Sequence, residues 1–238
     1  KPARQLQHLK ITVDPVTQRP IFITGALEDR ATAVIPNSKT AWIAKGHQYL
    51  NAVSEELLIK NPAEELVAVS VKTDRLGHTH VKYQQVYKGV PVYNGELIAH
   101  AATTVIDRVN GRYFPTPTIS VLPETSAAVA ITTAKRAVTN FKPLQPWEQH
   151  LVADKQEQAR LVIFHQEDEP RLAYQVDLIP NPAERWTFIL DANTGETLRK
   201  FSRICTIHHR HSAAAICNEN KPTTACNDHS TTGHLPPN

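Results

Sequence analysis

Methionine is absent from this 238-residue chain, and its three cysteines, Cys205, Cys217 and Cys226, all lie near the C-terminal end. An odd number leaves at least one thiol without a partner inside the chain. No apolar run approaches the roughly 20 residues needed to cross a bilayer, and the opening "KPARQLQHLK" has no apolar centre of the signal-peptide kind. The expectation is a water-soluble chain. Because it opens on Lys1 and holds no methionine, residue 1 is read as lying downstream of the translational start, after removal of a segment such as a signal peptide. An excess of one charge is also missing: 26 Lys and Arg against 23 Asp and Glu leave +3, scattered along the chain. That is too mild to argue for a nucleic-acid partner.

Chemical signatures are missing too. No His-Glu-x-x-His occurs, so the usual helical zinc site of a metallopeptidase is absent; there is no Gly-x-Ser-x-Gly elbow, Walker loop or Gly-x-Gly-x-x-Gly. Asp168 and Glu169 stand beside Pro170, where solvation explains them. No catalytic residue is assigned. His78 and His80, with His100 across a hairpin, have the right type for a metal, but such residues are usually at the surface or satisfied by hydrogen bonds. Cys205, His208, His209, His211, Cys217 and Cys226 form a second crowd of soft and borderline ligands, whose spacing matches no structural zinc module. No metal is assigned to the chain. A tail that binds metal on an inert scaffold stands as a lesser reading.

What is present reads as strands, turns and two helices. Ile11–Val13 and Ile21–Thr24, separated by Asp14, Pro15 and Gln18, predict an opening hairpin. Ile43, Leu50 and Leu57 form a helical stripe, with a cap at Asn37, Ser38 or Thr40 and a stop at Asn61-Pro62. Val81, Tyr83, Gln85 and Tyr87 alternate with Lys82, Gln84, Val86 and Lys88, which is strand periodicity. Gly89 and Pro91 turn the chain into a return strand from Val92 to Ala102, and a third strand, Thr103–Val109, is expected to end in an Asn110-Gly111 hairpin turn. The prolines between Phe114 and Glu124 predict a stiff linker. Beyond it, Val129, Thr133, Val138 and Phe141 suggest a helix capped by Thr125 or Ser126. The strands "ARLVIFHQ", "RLAYQVDLIP", "ERWTFILDA" and "ETLRKFSRI" follow, the last two joined at Asn193-Thr194-Gly195. After Ile204 periodicity ends, and the rest reads as an exposed tether.

The expected fold class is α+β: two small domains, each a curled antiparallel sheet packed against a helix, followed by an irregular C-terminal tail. The boundaries are 1–114, a linker at 115–124, 125–204, and a tail at 205–238. The stretch from His78 to Ala101 reads as a scaffold hairpin, so replacing Gly89 or Pro91 is expected to impair folding.

One ordered pattern carries a resemblance. Asp74, Leu76, Gly77, Thr79, His80, Tyr83, Gln85, Gly89, Val90, Pro91, Val92 and Gly95 resemble the hallmark of the fungalysin/thermolysin propeptide domain. Leu172, Ala173, Tyr174, Trp186, Asp191, Ala192, Thr194, Gly195 and Glu196 are similar to the PepSY module that follows it in precursors of thermolysin-like zinc endopeptidases. The resemblance implies a non-catalytic prosegment, secreted or periplasmic, acting as inhibitor and folding assistant. Its implied partner is the catalytic domain of such a peptidase, where zinc and calcium are expected. No cofactor is implied for this chain. Phe201, Ile204, Cys205, Thr206, His208, His209 and His211 are the candidate inhibitory and cleavage region. The alternative is a stand-alone envelope module that regulates a peptidase in trans.

Overall fold

The computed structural model describes residues 6–27, 35–102, 104–138, 141, 142, 144–150 and 157–204. The opening hairpin is present, with β1 (Leu6–Val13) antiparallel to β2 (Pro20–Leu27). Its turn is held by the Asp14 carboxylate, which accepts from the amides of Val16 and Thr17 at 2.9 and 2.8 Å. α1 (Lys39–Ala52) starts where Ser38 Oγ accepts from the Ala41 amide at 3.2 Å, so among the three candidate caps Ser38 is the one used.

That helix ends earlier than expected. Val53 is its C-cap, and residues 53–58 form turns that carry Leu57 into the core. Pro62 is no terminator: it opens the short α2 (Pro62–Glu65), where the first turn has no use for the amide hydrogen that proline lacks. β3 (Leu66–Thr73), a strand not foreseen from the sequence, pairs with β4 (Thr79–Tyr87).

β4 pairs with β5 (Val90–Ala101), and β5 with β6 (Arg108–Arg112). Asn110-Gly111 is not a turn, since it lies inside β6 opposite Ile98 and Leu97, and the reversal falls between Ala101 and Arg108. The glycine serves close approach instead: a Cβ there would meet the Glu96 carbonyl at 2.1 Å.

In the second half, α3 (Ala127–Arg136) is capped by Ser126, whose Oγ accepts from the Val129 amide at 3.3 Å. Its buried stripe is Ala130 and Ala134, not the expected Val129 and Thr133; Val129 is 50% exposed. Small side chains let the helix sit close to the strands, a reason that a count of large apolar residues overlooks. The short α4 (Pro146–Gln149) precedes an antiparallel meander of β7 (Glu157–Gln166), β8 (Glu169–Asn181), β9 (Glu184–Asp191) and β10 (Thr197–Ser202).

The architecture is α+β, mostly strand with few helices. β3 and β4 join β5, which continues through β6 and β2 to β1. At its start β5 also pairs in parallel with β7, through Val92 and Ile163, which links the meander to the first strands. One apolar cluster gathers Tyr49, Leu50, Leu66, Val81, Tyr83 and Leu97 under α1. Another gathers Val92, Phe114, Ala134, Ile163, Val176 and Phe188 under α3.

Candidate functional site

The first motif begins in the β3–β4 turn. Asp74 Oδ1 accepts from the amides of Leu76 and His78 at 2.8 and 2.9 Å, and Gly77 supplies the positive φ of 82° that the turn requires. Asp74 Oδ2 stands 3.1 Å from His80 Nε2. His80 is paired across the strands with His100, their Nδ1 atoms 2.7 Å apart, and His100 Nε2 meets Asn110 Oδ1. The row Asp74, His80, His100, Asn110 thus ties together a turn and three strands. The hydrogen bond from His80 holds the Asp74 carboxyl below its usual range, while burial lowers the His100 imidazole from its ordinary 6.5. His78 lies farther off, 3.8 Å from Asp74. Among the described residues, no three His, Cys, Asp or Glu side chains converge as a metal site.

Tyr83 is fully buried, and its hydroxyl donates to the Ile43 carbonyl at 3.0 Å. It lies directly under Gly46 of α1, where a Cβ would come within 2.0 Å of the hydroxyl oxygen. Gln85 sits at a register shift in β4, where the in-and-out alternation expected for the whole strand breaks and Val86 becomes buried beside it. The Gln85 amide imitates a strand partner for Phe114: Nε2 donates to the Phe114 carbonyl at 2.6 Å and Oε1 accepts from the Phe114 amide at 2.9 Å. Gln84, outside the motif, donates to the carbonyls of Gln85, Val92 and Gly95 at 2.8–2.9 Å. Gly95 leaves room for Gln85, whose Cβ and Oε1 are 3.0 Å from where a Gly95 Cβ would be. Gly89, at φ 82°, turns β4 into β5, Pro91 pairs with Val86 across the register shift, and Val92 buries itself in the second cluster.

The second motif works in the same manner. Leu172 and Ala173 are buried in β8. The Tyr174 hydroxyl donates to the Thr125 carbonyl at 3.1 Å, and Trp186 Nε1 donates to Glu184 at 3.1 Å while Lys200 lies 4.6 Å from its ring centre. Asp191 organises the β9–β10 turn: Oδ1 accepts from the amides of Asn193 and Thr194 at 2.9 and 3.0 Å, Oδ2 faces Arg171 at 3.4 Å, and Gly195 takes φ 76°. Burial pushes this carboxyl up, but the two amides and Arg171 together bring it below its usual range. The Ala192 carbonyl accepts from the amides of Glu124 and Thr125, seating the start of α3 on the end of β9.

Of the expected C-terminal region, Phe201 pairs with Thr187 in β10, and Ile204 ends the described chain. Cys205, Thr206, His208, His209 and His211 lie outside the described residues, as do Cys217 and Cys226. Residues the motifs did not indicate meet around Phe114. His165 stacks on its ring at 4.0 Å with the planes 10° apart, and the guanidiniums of Arg19 and Arg112 lie 5.5 and 5.1 Å from the ring centre. These residues come from β6, β7 and the β1–β2 turn, so no local spacing signals them.

Among the described residues, the polar motif side chains of Asp74, His80, Tyr83, Gln85, Tyr174, Trp186 and Asp191 are engaged by backbone and side-chain partners. The class of the chain follows from comparison with known families. Residues 64–113 match the Fungalysin/Thermolysin Propeptide Motif, and residues 126–201 match the Peptidase propeptide and YPEB domain. The chain carries the two propeptide modules of thermolysin-like peptidase precursors, and is not the catalytic part of such a precursor.

Among individual proteins, it is 28% identical over 192 residues to thermolysin of Alicyclobacillus acidocaldarius subsp. acidocaldarius, across 78% of this chain and 33% of that protein. It is 27% identical over 197 residues to the thermostable neutral protease NprT of Geobacillus stearothermophilus, with 78% and 33% covered. Bacillolysin of Bacillus amyloliquefaciens is 30% identical over 155 residues, with 60% and 28% covered. The chain thus spans about a third of the length of the curated relatives it matches. Among solved structures it is similar to the Bacillus megaterium YpeB C-terminal domain, at 13% identity and a TM-score of 0.35, with 82% of this chain and 88% of that one covered.

Proposed function

We propose that this chain is the prosegment of a thermolysin-like zinc endopeptidase, inhibiting the catalytic domain and assisting its folding, with no hydrolytic chemistry of its own. The observation that carries this reading is the succession of the two propeptide modules along one chain. In this reading the chain is exported, zinc and calcium belong to the partner, and the polypeptide divides into two small domains at the linker 115–124.

Tethering makes modest complementarity sufficient. A short covalent link gives an effective concentration near millimolar, so an intrinsic affinity of about 1 μM leaves roughly one catalytic domain in a thousand unblocked. Cleavage removes that advantage. The stretch from Phe201 to His211 is the proposed segment at the partner's cleft, because it follows the last strand and carries Cys205, His208, His209 and His211, whose side chains are good zinc ligands. Folding assistance is a separate effect: it requires the prosegment to stabilise the partner's folding transition state and not only the finished fold.

The test is titration of the isolated chain against a thermolysin-like catalytic domain. Residual proteolysis is expected to fall with a midpoint near micromolar. Unchanged proteolysis at about 100 μM prosegment, together with an unaltered refolding rate of the catalytic domain, defeats the proposal.

A further inference from the structure

A small cavity of about 50 Å³ opens among Asn94, Arg112, Phe114, Phe164, His165 and Arg199. One water occupies roughly 10–15 Å³ on this measure, so the space suits a group of a few heavy atoms. The lining is unusual in its charge. Arg112 arrives from β6 and Arg199 from β10, and among the described residues neither forms an ion pair; the nearby Arg19 is answered by Asp168 at 3.0 Å. Two guanidiniums without a contact ion pair, Arg112 having only the more distant Asp14 carboxylate, create a local positive potential beside Phe114.

A second observation points the same way. His165 Nδ1 is buried without a hydrogen-bond partner. Leaving such a group unsatisfied costs about 1–3 kcal/mol. Burial, then the charges of Arg19 and Arg112, with Asp168 opposing, bring the imidazole down to about 4. The pocket is thus short of negative charge. Asn94, held at φ 57°, adds an amide to the wall.

We infer that this cavity is a carboxylate-binding site, with Arg112 and Arg199 providing the charge, Asn94 an additional hydrogen bond, and Phe114 an apolar part of the wall. A planar carboxylate matches the donor fork of a guanidinium, which favours it over a spherical anion. Gln85 is a positioning residue for the site, because its two hydrogen bonds fix the Phe114 backbone. The inference is independent of the prosegment reading, since it concerns only the isolated chain.

The carboxylate can come from a free small molecule or from an acidic side chain on a docked protein, and two probes separate these sources. The imidazole signal of His165 is followed by NMR across pH, in sodium acetate, in sodium chloride of equal ionic strength, and with a short peptide carrying one glutamate or its glutamine analogue. The ring feels the charges of Arg19, Arg112 and Asp168 and shares the cavity with Arg199, and a bound carboxylate there is expected to raise its midpoint by about one pH unit, a tenfold change in proton affinity. Arg112→Gln and Arg199→Gln are expected to reduce the acetate-induced shift at least about threefold while thermal melts stay near wild type.

A shift with acetate alone supports a free carboxylate as ligand. A shift with acetate and the glutamate peptide, but not the glutamine one, supports an acidic side chain. Equal shifts in acetate and chloride, no shift with any probe, or an undiminished shift in both arginine variants overturns the site.

Discussion

Gly46 shows how much one missing methyl group can carry. In α1 it faces Tyr83 so closely that an added Cβ would lie 2.0 Å from the hydroxyl oxygen and 3.0 Å from the ring carbon bearing it. Neither partner can withdraw freely: Tyr83 is fully buried and bonded to Ile43, and Gly46 is locked in the helix. Gly46→Ala is therefore expected to destabilise the fold by about 2–3 kcal/mol, the upper range for overpacking. In a Tyr83→Phe background, which loses the hydroxyl bond at about 1 kcal/mol, the penalty should shrink by about 1 kcal/mol or more. A double-mutant cycle from denaturant melts measures this coupling, and additive effects would refute the contact. Tyr83 was visible as a motif residue and Gly46 was not, since a glycine inside a helical pattern says nothing of what presses on it.

At the scale of elements, two tight turns use the same geometry with different residues. The β4–β5 turn places Lys88 and Gly89 at φ 48° and 82°, and the β7–β8 turn places Glu167 and Asp168 at φ 49° and 72°. Both are two-residue hairpin connections of the type that favours Asn-Gly. The expected outcome of Gly89→Ala is a loss of about 1 kcal/mol from backbone strain alone, since nothing lies within 4 Å of the added carbon. Glu167→Asn is expected to do the opposite, gaining about 0.5 kcal/mol by placing a residue tolerant of positive φ. Thermal unfolding of the two variants beside wild type checks both signs. The Gly89 turn was legible because glycine before a proline-containing strand is a local signal. At the β7–β8 turn the amino-acid order shows only Asp168 and Glu169 as solvated carboxylates beside Pro170, because meander pairing, and not residue type, forces the conformation of Glu167 and Asp168.

Across the whole molecule, acid sensitivity is set by groups in separate elements. His165 and His100 both titrate below 6.5 in the folded state, His165 near 4. Between those values the unfolded chain binds the proton and the folded chain does not, so stability falls as pH drops from 6.5 toward 4. His165 is expected to contribute on the order of 1–2 kcal/mol to that loss, less than its full shift implies because solvent still screens part of the ring. Below 3.8 the lowered carboxyl of Asp191 adds a further loss, its stabilising contribution being present above that value. Urea melts of wild type and His165→Phe between pH 4 and 7 test the histidine limb: the variant should lose stability less steeply, and an identical slope would exclude His165 as its source.

The strands of the meander, the two helix caps, the β1–β2 hairpin and the propeptide motifs were all legible in the amino-acid order. Each depends on residues a few positions apart, through strand alternation, a capping hydroxyl or a turn former. What required the folded molecule depends on partners far apart in the chain. Gln85 clasps Phe114 across 29 positions, Val92 leaves its own hairpin to pair with Ile163, and Arg112, His165 and Arg199 converge from three strands. Local preference cannot encode such meetings, because they are set by which apolar faces bury together and by how β5 bridges the strands on either side. Asn110-Gly111 shows the limit most plainly: its local preference is for a turn, and pairing with β5 on one side and β2 on the other holds that stretch of β6 extended instead.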